Sequence, residues 1–149
     1  MRQPENEGLM RYLEKSHPKA GVSDLSVPTE TELYEHRLLG THPELIERVW
    51  DRLVARIPPE SRRIILGRAA LVSTRSNVIF AIAIGTSYAI RIPKRVKTWR
   101  FGLKTTIGWS DGTRRNVKAT FGPEWVVGSW SSKEEEWCPA AYEYFSRSK

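Results

Sequence analysis

Residues 67–93, GRAALVSTRSNVIFAIAIGTSYAIRIP, are the only long apolar run in the chain and are rich in Ile and Val. β-Branched side chains lose freedom against a preceding helical turn and pack well on a pleated surface, so this run is expected to form core sheet. Turn residues divide it. Strands are expected at Ala69–Ser73, Val78–Ile84 and Tyr88–Ile92, with Thr74-Arg75-Ser76-Asn77 and Gly85-Thr86-Ser87 between them at hairpin spacing, giving an antiparallel meander. With the two-residue period of a strand, Val78, Phe80, Ile82 and Ile84 share one face and Ile79, Ala81 and Ala83 the other. Both faces are apolar, and the small Ala face is expected to accept a closely packed helix.

The helix to cover it is Thr41–Ile57. Thr41 and Glu44 form a T-x-x-E capping box, Pro43 falls in the first turn where its missing N–H costs nothing, and Pro58-Pro59 ends the segment. Leu45, Ile46, Val49, Trp50, Leu53, Val54 and Ile57 recur at helical spacing, while Glu44, Glu47, Arg48, Asp51, Arg52 and Arg56 occupy the opposite face, which reads as solvated. Before it, residues 1–28 read as an N-terminal arm in which Leu9, Met10 and Leu13 make one weak helical turn before Pro18, Gly21 and Pro28 interrupt the pattern. Thr29–Leu39 reads as a short amphipathic helix closed by Gly40.

Behind the apolar run the chemistry changes. Between Arg91 and Lys118 nine Lys or Arg residues face one acid, Asp111, with Trp99, Phe101 and Trp109 interleaved. Strand-favouring residues at Val96–Ile107, the turn Ser110-Asp111-Gly112-Thr113 and a return strand at Asn116–Phe121 predict a cationic hairpin. A short strand follows at Trp125–Trp130. The closing helix opens on the capping box of Ser132 and Glu135 and carries Trp137, Ala140, Ala141, Tyr144 and Phe145 on one face; Pro139 predicts a kink or a true start near Cys138. The fold class expected is α+β: an antiparallel sheet of about five strands with an amphipathic helix before it and a C-terminal helix on it, in one domain over 29–149.

Composition narrows the function classes. The chain has 149 residues, six Trp and one Cys, so no intramolecular disulfide forms, and the charged N-terminal stretch lacks the apolar core of a secretion signal. A cytoplasmic protein without a membrane span is expected. The net charge of +7 is concentrated in the middle of the chain and recruits anionic partners.

Linear signatures of catalysis are lacking. His17, His36 and His42 stand apart from other metal-ligating residues, and no nucleophile elbow, zinc-protease helix or phosphate loop occurs. Cys138, beside Pro139, reads as a packing residue, Glu134-Glu135-Glu136 as compensation of a helix dipole, and Trp125, Trp130 and Trp137 as core aromatics. No catalytic residue, metal ligand or cofactor is assigned. The candidate binding residues are Arg91, Lys94, Arg95, Lys97, Trp99, Arg100, Lys104, Arg114, Arg115 and Lys118, a set of cations with aromatic faces of the kind that single-stranded nucleic acid requires. The same lysines also suit an exposed strand edge protected from sheet-to-sheet pairing.

The order of helix, apolar hairpin ending in R-x-P, polar segment and closing helix resembles small α+β proteins of the YjbR/MmcQ type and their TfoX-like relatives. Val78-Ile79-Phe80-Ala81-Ile82-Ala83-Ile84-Gly85, Tyr88-Ala89-Ile90-Arg91-Ile92-Pro93, Gly108-Trp109 and Ala141-Tyr142-Glu143-Tyr144 carry the resemblance, over residues 41–145. It implies a compact sheet with helices, likened to DNA-binding modules, and no catalytic residues. The leading expectation is a non-catalytic binding or regulatory protein whose basic segment engages an anionic partner, nucleic acid before an acidic protein surface. Alternatives are a protein-interaction module such as an adaptor, inhibitor or immunity-type protein, and an enzyme on an anionic small molecule, with Arg91, Arg114 or Arg115 as clamps and Asp111 or Glu124 as acid or base.

Overall fold

A computed structural model describes residues 6–16, 43–65, 68–84, 87–93, 106–108, 114–130 and 132–146. Its centre is a five-stranded antiparallel sheet in the order β1-β2-β3-β4-β7, built from β1 (Arg62–Ile65), β2 (Arg68–Ser73), β3 (Val78–Ile84), β4 (Ser87–Arg91) and β7 (Trp125–Val127). A separate two-stranded ribbon pairs β5 (Thr106–Gly108) with β6 (Arg114–Asn116) and lies against β4 and β7. The architecture is α+β, with helices before the sheet and a C-terminal helix packed on it.

β3 is the middle strand, and every one of its side chains is fully buried, so both faces of the sheet are covered. Its faces are not the ones strict alternation predicts. Leu71 pairs with Ala81 and Val72 with Ile79, which leaves Phe80 as an extra residue in β3. A bulge of this kind puts two successive side chains on one side. Val78, Phe80, Ala81 and Ala83 therefore join one core layer, and Ile79, Ile82 and Ile84 the other. The correction places the large Phe80 and the small alanines on the same face.

The first layer receives the segment after residue 42. It begins as α2 (Pro43–Glu47), widens to a π-turn over Arg48–Arg52 and ends in turns, with Leu53 N–H donating to the Arg48 carbonyl at 2.9 Å. The continuous helix expected to Ile57 is thus broken by a π-turn, a local widening that rotates the following side chains relative to an α-helix. Leu45, Ile46, Val49, Trp50, Leu53, Val54 and Ile57 are all buried as expected, but so is Arg48, which helical spacing places on the solvated face. The Trp50 indole donates to the Ala70 carbonyl at 3.1 Å, and its own carbonyl accepts from Arg62 Nε at 3.0 Å. β1 itself, an edge strand opening on two arginines, is not anticipated by the hydrophobic pattern.

The second layer is closed by α1 (Glu7–Ser16) and by α3 (Val117–Thr120). α1 spans ten residues rather than the single turn expected, because the sheet's second face needs a cover that Leu9 and Met10 provide. Asn6 fastens it: its amide donates to the Asn77 carbonyl and accepts from Ile79 N–H, each at 2.8 Å. Gly8 allows the close approach to α3, since a Cβ there would lie 2.6 Å from the Phe121 carbonyl oxygen. α3 occupies most of the span expected to be a return strand, because Asn116 accepts from Ala119 N–H at 3.1 Å and caps a helical turn.

α4 (Ser132–Ser146) runs from Ser132 through Pro139, earlier than a start near Cys138. Pro139 supplies no N–H to the helix, which continues past it to Ser146. Ser73 Oγ donates to the Tyr142 carbonyl and Ser76 Oγ to the Phe145 carbonyl, both at 2.7 Å, while Trp137, Cys138, Ala141 and Phe145 enter the first layer.

Candidate functional site

The described polar chemistry converges where the π-turn, β4 and the start of α4 meet. Arg48 donates through Nε to the Tyr88 hydroxyl at 3.2 Å, through Nη2 to Glu134 at 3.4 Å and through Nη1 to Glu135 at 3.0 Å. The side chains of Arg48 and Glu134 are 7% and 1% exposed, so the pair is a buried one. Tyr88 donates to Glu134 Oε1 and accepts from Arg48 Nε and, at 2.9 Å, from Trp130 N–H. One donation and two acceptances exhaust a phenolic hydroxyl. Glu134 is filled as well: Oε1 takes Tyr88 and Arg48, and Oε2 takes the backbone N–H and, at 2.6 Å, the hydroxyl of Ser129.

Burial, then the hydrogen bond and charge of Glu134, push the Tyr88 hydroxyl well above its ordinary value, so it stays a phenol. Burial works against the Arg48 cation, but Tyr88 and Glu134 outweigh it and hold its pKa above the ordinary value. Burial and the neighbouring Glu134 carboxylate push the Cys138 thiol up to about 12, far from the thiolate a nucleophile needs. Glu135 is shared between Arg48 and Arg52, the latter at 3.2 Å. The two acids are thereby matched by two arginines. Glu134 thus serves as a buried network member, and Glu135 as an ion-pair partner of Arg48 and Arg52.

The network holds the chain end that leaves β7. Gly128 N–H donates to the Tyr88 carbonyl at 2.7 Å, and a Cβ at Gly128 would sit 2.0 Å from the Tyr88 ring. Two residues on, Trp130 has φ 63°, a left-handed conformation unusual for a bulky side chain. Its ring meets Tyr88 edge-on at 5.1 Å, and half of its surface is exposed. The expectation of three core tryptophans holds for Trp125 and Trp137 and fails for Trp130, the one large exposed apolar side chain among the described residues.

Of the residues singled out from sequence, Lys94, Arg95, Lys97, Trp99, Arg100 and Lys104 lie outside the described residues, as do the three histidines, Asp111 and the helix expected at Thr29–Leu39. Arg114 and Arg115 stand in β6, paired with Gly108 and Ile107. Lys118 is exposed on α3 and donates to the Pro123 carbonyl at 2.8 Å. Arg91 is engaged internally: Nε donates to Glu124 at 3.0 Å, both side chains are 13% exposed, and the guanidinium lies 4.8 Å from the Phe145 ring centroid. Glu124, named as a possible acid or base, is the partner in that pair.

Arg48, Tyr88, Ser129 and Glu134 were not singled out as a site because their partners lie 40 and 86 residues away. Among the described residues no group of three His, Cys, Asp or Glu is placed to hold a metal ion, and no helix is long and apolar enough to cross a membrane. Comparison of the chain with protein-family models, with curated proteins and with solved structures found no match.

Proposed function

We propose that this protein is a cytoplasmic, non-catalytic binding protein that engages nucleic acid through residues 91–118. The observation that carries the reading is the ratio of nine cations to one acid in that segment. Several phosphates contacted together release counterions, which is the main source of affinity in such complexes. Among the described residues Glu134 and Glu135 are taken up by Arg48 and Arg52 within the fold, and Glu124 pairs with Arg91 of the basic segment. The β5–β6 ribbon carries Arg114 and Arg115 beside β4 and β7, with exposed Lys118 shortly beyond. The resemblance to the YjbR/MmcQ type, proteins likened to DNA-binding modules, points the same way.

The test is a salt titration of binding to mixed-sequence DNA and RNA. With about six phosphates contacted, log K is expected to fall with log salt at a slope near −5, and reversing Arg114 and Arg115 to Glu weakens binding and flattens the slope by about two. Affinity no better than millimolar at low salt, or a charge reversal without effect, would discard the reading.

A further inference from the structure

We propose that Trp130 is a stacking platform for an unpaired base, which makes the preferred ligand of the basic segment single-stranded rather than duplex. The inference rests on the nucleic-acid reading above and names the form of nucleic acid that it takes. Four observations lead to it. Trp130 is half exposed, whereas Trp50, Trp125 and Trp137 are buried. Its backbone is held at φ 63° by a hydrogen bond to Tyr88, whose hydroxyl is itself locked by Arg48 and Glu134, so the ring is presented from a rigid support. A bulky residue persists in that conformation only where its surroundings over-determine it, and such residues gather at ligand clamps.

The third observation is placement. Trp130 lies three residues past the end of β7, so its Cα stands within about 10 Å of the strand end. β7 is an edge of the main sheet, and the β5–β6 ribbon bearing Arg114 and Arg115 lies against it. The topology therefore brings the exposed indole and part of the basic segment to the same edge strand of the sheet, β7. The fourth is local charge. Glu134 and Glu135 are matched by Arg48 and Arg52, and Lys133 and Glu136 are of opposite charge, so this group of residues following Trp130 in the chain, with its arginine partners, carries no net negative charge. Every base has a π-face, and stacking on an aromatic side chain contributes affinity without sequence preference. A base paired and stacked within a duplex offers no free face.

Fluorescence anisotropy with labelled oligothymidylate and with a labelled duplex of equal length tests this. Trp130→Ala is expected to weaken binding of the single strand by about tenfold while leaving duplex binding and its salt slope unchanged, and Trp130→Phe retains most of the single-strand affinity. Both variants are expected to fold, with the urea midpoint lowered only by the lost ring contact with Tyr88. Equal affinity of Trp130→Ala and wild type for the single strand overturns the proposal and leaves the basic-segment reading standing; that is also the result if Trp130 anchors a protein partner. An equal loss on single strand and duplex overturns it too. Wild-type protein that binds neither at low salt overturns both readings together.

Discussion

Arg48 and Glu134, 86 residues apart in sequence, meet at 3.4 Å inside the protein, where neither side chain has more than a trace of solvent contact. A buried pair of this kind stabilises less than its Coulomb attraction implies, since both ions are taken out of water. Removing one partner is another matter. Glu134→Gln leaves the Arg48 cation with Glu135 alone and is expected to cost about 3 kcal/mol in urea denaturation, whereas Glu136→Gln, at an exposed site on the same turn, changes stability by less than about 0.5 kcal/mol.

Tyr88→Phe keeps the ring and removes the hydroxyl on which Arg48, Glu134 and Trp130 converge. The expected loss is about 2 kcal/mol, the cost of leaving buried partners without a hydrogen bond. Hydrogen exchange reads it more finely. The amides of Ser129 and Trp130 should lose protection selectively, while those of β3 slow or quicken only with global stability.

Gly128→Ala tests the same junction from the backbone side. A methyl group 2.0 Å from the Tyr88 ring displaces either the ring or the strand end, and overpacking of a tight site is expected to cost about 3 kcal/mol. Gly128→Ala in a Tyr88→Ala background should cost far less than in the wild type, a coupling that a double-mutant cycle in urea measures directly.

Alkaline pH should weaken the fold. The folded Cys138 thiol titrates at about 12 against an ordinary value of 9.0, so between these values the folded state holds a proton that the unfolded chain releases. Stability is then fully present below pH 9 and declines as pH rises, by about 1 kcal/mol from pH 9 to 10. Tyr88, also raised, adds to the decline above pH 10. Urea midpoints at pH 8, 9 and 10 check this, and Cys138→Ala should flatten the first step.

Asn6 makes two hydrogen bonds to the β2–β3 hairpin, and Asn6→Ala leaves Ile79 N–H buried without its acceptor. The expected cost is about 2 kcal/mol by urea denaturation, with Asn6→Asp recovering part of it through the retained acceptor.

The sheet was legible wherever burial is symmetrical. β2 and β3 read directly from their apolar runs, because a strand covered on both faces needs apolar residues throughout. The bulge at Phe80 did not, since one added residue leaves the composition of β3 unchanged and alters only which side chains face which layer. β1 escaped because Arg62 and Arg63 suit an edge and interrupt the apolar pattern. Arg48 was misplaced on the solvated face because helical spacing contains no sign of the π-turn. Glu134 was indistinguishable from the acids beside it, since what sets it apart is Tyr88 and Ser129 closing around it. Trp130 carries no local mark of exposure, and its left-handed backbone depends on a hydroxyl from β4.

Covering β3 from both sides has a consequence for how this protein meets anything else. Many small sheet proteins receive ligands on an open face, and the strands then serve stability and recognition at once. The interior of β3 is closed to visitors, which leaves the perimeter, where connections leave the sheet, as the ground open to contact. Sequence drift that retunes partner choice can accumulate along that perimeter while β2, β3 and β4 stay under packing constraint alone, so maps of tolerated substitutions for folding and for binding should barely overlap.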